Sequence, residues 1–489
     1  MRHPSKSFPT RSQLQTSKKK HGASADGFSQ AVALCERFVS RPGEKADALF
    51  NQLSSDISPE ERRRCQRLFY GAVRHWRLIN HLLDALIERA PRPQLRAMLT
   101  IALAEWLENL SQGAALPVAK KSKKDDEGLP PVDFFPGLET DESLPKIVDF
   151  TVERVKRSLS PGEGKFTNAI LRRAAALMSE VNESGSLGLR TSHPDWLVRR
   201  WIAERGSAWT ERALLFNQTA ASPTLRWRAG TTSPEDWVAI DVEKLRGAIE
   251  LEEGAAFNIP DTAPRFFRLG DGTPWSSAAG ELSAGRAYAQ DAATWLAPAL
   301  AGMQPGESAL DLCAAPGGKA SYLLEALGND PAGLLVLLDK PGPRIEQLDA
   351  NLRAWSTDEE GPEVALLALD LLEAQPDELG AFHAVLLDAP CSNTGVIRRR
   401  PDVKIRLRPE DITASAELQL QLLTKASEFV AEGGRLIYST CSLEPEENAG
   451  VVEQFLEANP EWTVTVTAES TPADTGFDGA TVFRLEREG

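Results

Sequence analysis

The feature that most constrains this chain is an alternation of apolar and amphipathic segments that begins near residue 286. ESALDLCAA, GLLVLLD, EVALLALD, HAVLLDAP and GRLIYSTCS are short apolar runs of the kind that form strands covered on both faces. Between them, PGGKASYLLEALG, PRIEQLDANLRAW and AELQLQLLTKASEFVAEG carry apolar residues at helical spacing. TVTVTAES and TVFRLERE close the chain as two β-prone segments. The pattern predicts a doubly wound, mostly parallel α/β sheet finished by an antiparallel pair, over residues 286–489. Ligands of such sheets sit beyond the carboxyl ends of the strands.

With 489 residues, the chain is long enough for two or three domains. Residues 1–26 read as a disordered tail, and 27–185 as an all-helical domain, from runs such as EERRRCQRLFYGAVRHWRLINHLLDALIER and GKFTNAILRRAAALMSEV. Residues 112–143, with KKSKKDDEG and several prolines and glycines, read as a flexible insertion in it. Residues 190–285 mix a helix (HPDWLVRRWIAERG) with β-prone pieces (PTLRWRAG, PRFFRL), predicting a small α+β connector.

Composition excludes several classes. No apolar run approaches the roughly 20 residues that span a bilayer, and the polar N-terminus lacks a signal sequence's apolar region. Five scattered cysteines, Cys35, Cys65, Cys313, Cys391 and Cys441, argue for a reducing, cytoplasmic setting rather than a disulfide framework. No CxxC or HxxxH spacing suggests a structural metal, and a monomer is expected. The net charge of −15 argues against nucleic-acid binding, but phosphate contacts are local. The basic tail at 1–22 reads as a solvated segment. Residues 398–408 hold Arg398, Arg399, Arg400, Lys404, Arg406 and Arg408 against Asp402, and they lie beside the constellations that follow.

DLCAAPGGKA, residues 311–320, ends a strand in glycines that let backbone approach a ligand and then starts a helix. It is neither the dinucleotide fingerprint nor a phosphate loop, and alone it would be an ordinary turn. Asp339 and Asp370 follow the next two strands, where an acid often binds ribose hydroxyls, although Asp370 taken alone reads as a helix cap. LLDAPCSNTG delivers Asp388 and Cys391, and LIYSTCSLEPEEN delivers Cys441. A single cysteine is usually a small hydrophobe. Two of them in polar turns past strands that should be neighbours, with an acid nearby, suggest covalent chemistry on a pyrimidine. A thiolate added to C6 makes C5 nucleophilic toward a methyl group, and a carboxyl group at N3 stabilises the charge change.

DLCAAPGGKA, DAPCSNTGVIRRRPDVK and YSTCSLEPEEN, preceded by YAQDAATWLAPAL, together resemble the Sun/NOL1/NOP2 family of RNA 5-methylcytosine methyltransferases. FYGAVRHWRLINHLLD, GKFTNAILRR and FNQTAASPTLRWR resemble the NusB-like, RNA-binding helical domain and connecting segment of its bacterial 16S rRNA branch. The resemblance implies a Rossmann-like class I methyltransferase domain, S-adenosylmethionine as cofactor and RNA, most closely 16S rRNA, as substrate. It implies that Cys441 attacks C6, that Cys391 assists breakdown of the adduct and that Asp388 contacts the base. Cys313, Ala314, Ala315, Pro316, Gly317, Gly318 and Lys319 would hold the cofactor's methionine part. Asp339 would bind its ribose, Asp370 would lie by the adenine, and Arg344 and Asp388 would complete the site. Gln290 and Asp291 match a structural pair, and Arg398, Arg399, Arg400 and Lys404 stand where the family has a basic RNA-facing loop. Asn393, Ala320 and Pro341-Gly342-Pro343 depart from the family pattern. A DNA cytosine methyltransferase would carry its nucleophile in the Pro-Cys segment and a target-recognition region. A non-catalytic RNA-binding protein would not need Cys441 or the PGG turn. Activity on tRNA or 23S rRNA would keep the same chemistry.

Overall fold

The computed structural model describes residues 26–487, except 42–43, 55, 112–132, 139, 229–231, 256, 259–263, 271–272 and 356–360. The tail expected at 1–26 lies outside the described residues except for Asp26, which caps the first helix, and so does most of the insertion expected at 112–143. Among the described residues, no helix is long and apolar enough to cross a membrane.

The first part is helical. Ser58 caps helix Pro59–Arg74 by accepting from the Glu61 N–H at 3.2 Å, and Ser160 caps Pro161–Ser184 in the same way. Helix Pro93–Leu110 is apolar around most of its circumference and runs through the centre, with Leu99, Ile101, Leu103 and Leu107 fully buried. Phe134 and Phe135 are buried in this core, and Asp141 accepts from Trp106 Nε1 at 2.8 Å. The described end of the expected flexible segment is thus packed. Two adjacent aromatic rings bury too much apolar area to stay in water.

The connector forms strands β1 (Leu225–Trp227), β2 (Trp237–Ile240), β3 (Ile249–Leu251), β4 (Arg265–Leu269) and β5 (Ala287–Ala289). Four of these make an antiparallel sheet in the order β2-β4-β1-β5. The α/β part adds β6 (Ser308–Leu312), β7 (Leu334–Asp339), β8 (Glu363–Ala368), β9 (Phe382–Asp388), β10 (Val430–Thr440), β11 (Trp462–Ser470) and β12 (Ala480–Arg487). The eight-stranded sheet runs β3-β11-β12-β10-β9-β6-β7-β8, so the short β3 of the connector extends the large sheet through β11. Strands β10, β9, β6, β7 and β8 are parallel, while β12 is antiparallel to β10 and β11. The chain winds outward from β6 to β8 and then returns to β9 on the other side of β6. That reversal opens a crevice at the carboxyl ends of β6 and β9.

The helical and α/β parts share one core. Ile397, Val403, Leu407, Ile412 and Leu443 cluster with the buried side chains of the helices. Helix Asp195–Arg205 seals the junction: Trp201 Nε1 donates to Glu444 at 3.1 Å, and Arg205 pairs with Glu469 at 2.6 Å.

Candidate active site

Beyond β6, Cys313 adopts a left-handed conformation (φ 62°), a cis bond joins Ala315 to Pro316, and Gly317 has φ 101°. That φ strains any side-chain-bearing residue, and a Cβ there would also come within 2.8 Å of the tip of Leu348, so the turn favours glycine. Neighbouring side chains fix the turn. Asp339, at the end of β7, accepts from the Ala315 N–H at 2.8 Å. Arg344 donates to the Ala315 carbonyl, and Tyr288 and Asn351 donate to that of Pro316 at 2.9 and 2.8 Å. The helix bearing Arg344 begins at Pro343, where proline's fixed φ suits a first turn, so the Pro-Gly-Pro departure starts the helix cleanly. Gln290 accepts from Arg226 Nε at 3.1 Å, and Arg226 also donates to Ser321 at 2.6 Å, which braces the helix after the turn. Asp370 caps the 3-10 turn after β8 and pairs with Lys340 at 3.0 Å.

Lys319 reaches back to Asp388 at the end of β9, with Nζ 2.6 Å from Oδ2, and Ser439 donates to the other oxygen at 2.8 Å. Burial works against the Lys319 charge, but the Asp388 carboxylate outweighs it and holds the ammonium above its ordinary range. Beneath this pair lies Asp311 of β6, a residue singled out only as part of its motif. Both its carboxyl oxygens are buried without a hydrogen-bond partner. Burial first, then the charge of Asp388, lifts its carboxyl well above the ordinary range. Burial, with Asp339 and Asp388, likewise pushes the Cys313 thiol up to about 12.

The two remaining cysteines meet. Strands β9 and β10 are adjacent and parallel, with Ser439 paired to Asp388, so the turns that follow lie side by side. Cys391 Sγ and Cys441 Sγ stand 3.1 Å apart in thiol contact; both are free and half-buried. The contact with Cys441 first, and burial second, raise the Cys391 thiol well above its ordinary range. Asn393, left-handed at φ 65°, donates to the Cys391 carbonyl at 2.6 Å and accepts from Cys441 Sγ at 3.6 Å. This departure from the family pattern therefore ties the backbone of Cys391 to the Cys441 thiol.

The basic loop behaves differently from expectation. Lys404 is buried and donates to the carbonyls of Arg74 and Thr191 at 2.6 and 3.3 Å; burial, then the Arg74 charge, drives its ammonium well below the ordinary range. Arg399 pairs with Asp478 and, at 2.8 Å, with Asp291. Arg398 lies over the Phe216 ring at 4.5 Å and donates to the Ala220 carbonyl at 2.9 Å. Lys404 is thus turned inward between the helical and α/β parts, whereas Arg398 and Arg399 are half-buried with their charges engaged by these partners. Arg400 is half-buried beside them.

The family model described as 16S rRNA methyltransferase RsmB/F matches residues 294–484. A Synechocystis sp. protein named "Probable ribosomal RNA small subunit methyltransferase B" is 30% identical over 421 residues, covering 83% of each chain. The Shigella flexneri protein named ribosomal RNA small subunit methyltransferase B is 33% identical over 290 residues, 58% of this chain and 62% of that one. The crystal structure of PH0851 superimposes with a TM-score of 0.64 at 20% identity, over 94% of this chain and 98% of that one, a likeness of fold.

Proposed function

This chain belongs to the family of ribosomal RNA small subunit methyltransferases B, and from that premise we propose that it methylates C5 of a cytidine in 16S rRNA through a covalent bond to Cys441. The observation that carries the reading is the pair of thiols 3.1 Å apart beside the Lys319–Asp388 pair, all at the carboxyl ends of β6, β9 and β10. The NusB-like character of the helical part belongs to the same proposal.

S-adenosylmethionine, when bound, supplies an electrophilic methyl group on a cationic sulfonium. The residues present fit such a group: Asp311, Asp339 and Asp388 gather around the Cys313–Lys319 turn, and Asp311 is buried with nothing bonded to it. An acid-rich crevice with an unanswered carboxyl suits a ligand bearing positive charge. In this reading the turn, braced by Arg344, holds the amino-acid end, Asp339 the ribose, and Asp370 lies at the adenine side.

Cys441 gives up its proton and forms a bond from Sγ to C6 of the cytosine, which places the displaced electron pair at C5. Asp388, taking up the proton of the Lys319 ammonium that it contacts, donates a hydrogen bond to the base at N3 and stabilises the negative charge that builds there. C5 then accepts the methyl group. Loss of the C5 proton expels the Cys441 thiolate and restores the aromatic ring, and Cys391 assists that departure from its place against the departing sulfur.

The test is transfer of labelled methyl to unmodified 16S rRNA, 23S rRNA and tRNA in parallel, mapped by bisulfite sequencing. The reading expects one modified cytidine in 16S rRNA, lost in Cys441→Ala. Transfer to another RNA moves the substrate, and no transfer to naked or particle-bound RNA overturns the reading.

A further inference from the structure

Two cysteines in similar turns raise the question of what makes one the attacking group and the other its assistant. The answer lies behind them, in a side chain that touches neither sulfur. Glu447 follows Cys441 in the same motif and is completely buried. One of its carboxyl oxygens accepts from the Ser392 N–H at 2.8 Å and from Gln419 Nε2 at 3.2 Å. The other accepts from the hydroxyls of Ser392 and Ser442. Ser392 directly follows Cys391, and Ser442 directly follows Cys441. The two serine hydroxyls are themselves 3.1 Å apart. Gln419 extends the grip, because its Nε2 also donates to the carbonyl of Pro390, immediately before Cys391, at 2.8 Å. The backbone of Glu447 is anchored as well, its carbonyl accepting from Tyr438 at 2.7 Å.

We propose that Glu447 is a positioning residue that locks the two cysteine turns in register, so that Cys441 rather than Cys391 is set to attack. Four donors converge on its carboxylate, and among the described residues it pairs with no cation. A negative charge held in a dry interior acts strongly on its neighbours. Cys391 stands one residue before Ser392, and the field of Glu447 adds to the Cys441 contact and to burial in disfavouring a Cys391 thiolate. Cys441 instead faces the polar side chain of Asn393 and the side where Lys319 stands. The inference rests on the assignment of Cys441 as nucleophile, but the first arm of its test needs neither RNA nor cofactor.

That test is iodoacetamide alkylation of each cysteine across a pH series, read by peptide mass spectrometry on the full-length protein. In the unaltered protein Cys441 is expected to be alkylated before Cys391. In Glu447→Gln, which removes the charge at constant size, the Cys391 curve moves to lower pH. In the methyl-transfer assay the same variant loses about 100-fold in kcat with little change in KM for RNA, as expected when reacting groups lose alignment. An unmoved Cys391 curve overturns the proposal, as does a defect confined to KM. If Glu447→Gln fails to fold, Glu447→Asp keeps the charge on a shorter arm. It should preserve the alkylation order and lower kcat, and an inverted order or an unaltered kcat overturns the proposal. Absence of methyl transfer already in the unaltered protein, with the alkylation shift intact, leaves Glu447's role standing and strikes the RNA chemistry instead.

Discussion

Lys404, from the α/β part, donates its ammonium to the carbonyl oxygen of Arg74, in the helical part, across 2.6 Å of buried space. Arg74 is in turn tied through its guanidinium to Glu108, which also contacts His75 Nε2 at 3.2 Å. A residue expected to touch RNA is thus a rivet between two halves of the molecule.

Lys404→Ala should therefore cost stability rather than RNA contacts. Two buried carbonyls lose their donor, worth about 1–3 kcal/mol each at most. Thermal unfolding should shift down, while the slope of log affinity for RNA against log salt stays unchanged. A slope reduced by about 0.9 would mark Lys404 as a phosphate contact after all.

The two-cysteine mechanism predicts opposite phenotypes for the two thiols. Cys441→Ala abolishes methyl transfer. Cys391→Ala leaves bond formation possible but slows release, so denaturing gel electrophoresis after mixing with substrate RNA and cofactor should show a retarded RNA–protein band. Absence of that band, in a folded variant that binds cofactor, contradicts the role given to Cys391.

Asp311 sets a pH dependence. Its carboxyl is raised in the folded state, so the folded protein binds a proton that the unfolded chain has released, and stability falls as pH climbs from the ordinary carboxyl range through the raised value. Asp311→Asn removes that loss. Scanning fluorimetry without cofactor should show a higher melting temperature than the unaltered protein under alkaline conditions and little difference in acid. Added S-adenosylmethionine should stabilise the variant less.

Glu108 gives the reverse sign. Burial opposes its charge, but Arg74 and then His75 more than compensate, and its carboxyl is held down at about 2. It contributes stability that is present above the ordinary carboxylate range and is lost as pH falls toward that value. The shift corresponds to about 3 kcal/mol. In Glu108→Gln, circular dichroism should show a helical part that is less stable at neutral pH and whose stability varies less with acidification. An unaltered acid titration would remove Glu108 from this role.

Much of this architecture is legible in the sequence because it rests on local pattern. Apolar runs ending in Asp339, Asp388 and Thr440 form strands that end there. The closing pair is antiparallel for the same reason. What stays hidden depends on partners remote in the chain. The charges of Lys404 and Arg399 look solvent-facing until Thr191, Arg74, Asp291 and Asp478 close around them. Strand β3 is three residues long, too short for alternation to assign it to the large sheet. Glu447 reads as one acid among several in SLEPEEN, and only the meeting of two distant serines gives it a function. Asp311 carried a signal that could have been used: an acid inside a run of apolar strand residues is costly unless something answers it.

The shared core has a consequence for how the enzyme comes into being. Ile397, Val403 and Leu407, on the segment that follows Cys391, have their apolar partners in helices made hundreds of residues earlier. As the chain leaves the ribosome, those helices are available to collapse first. The segment bearing Cys391 then emerges onto a surface already shaped to receive it. Its counterpart, Cys441, arrives only when β10 has paired. The meeting of the two thiols is thus among the last things this polypeptide acquires as it folds.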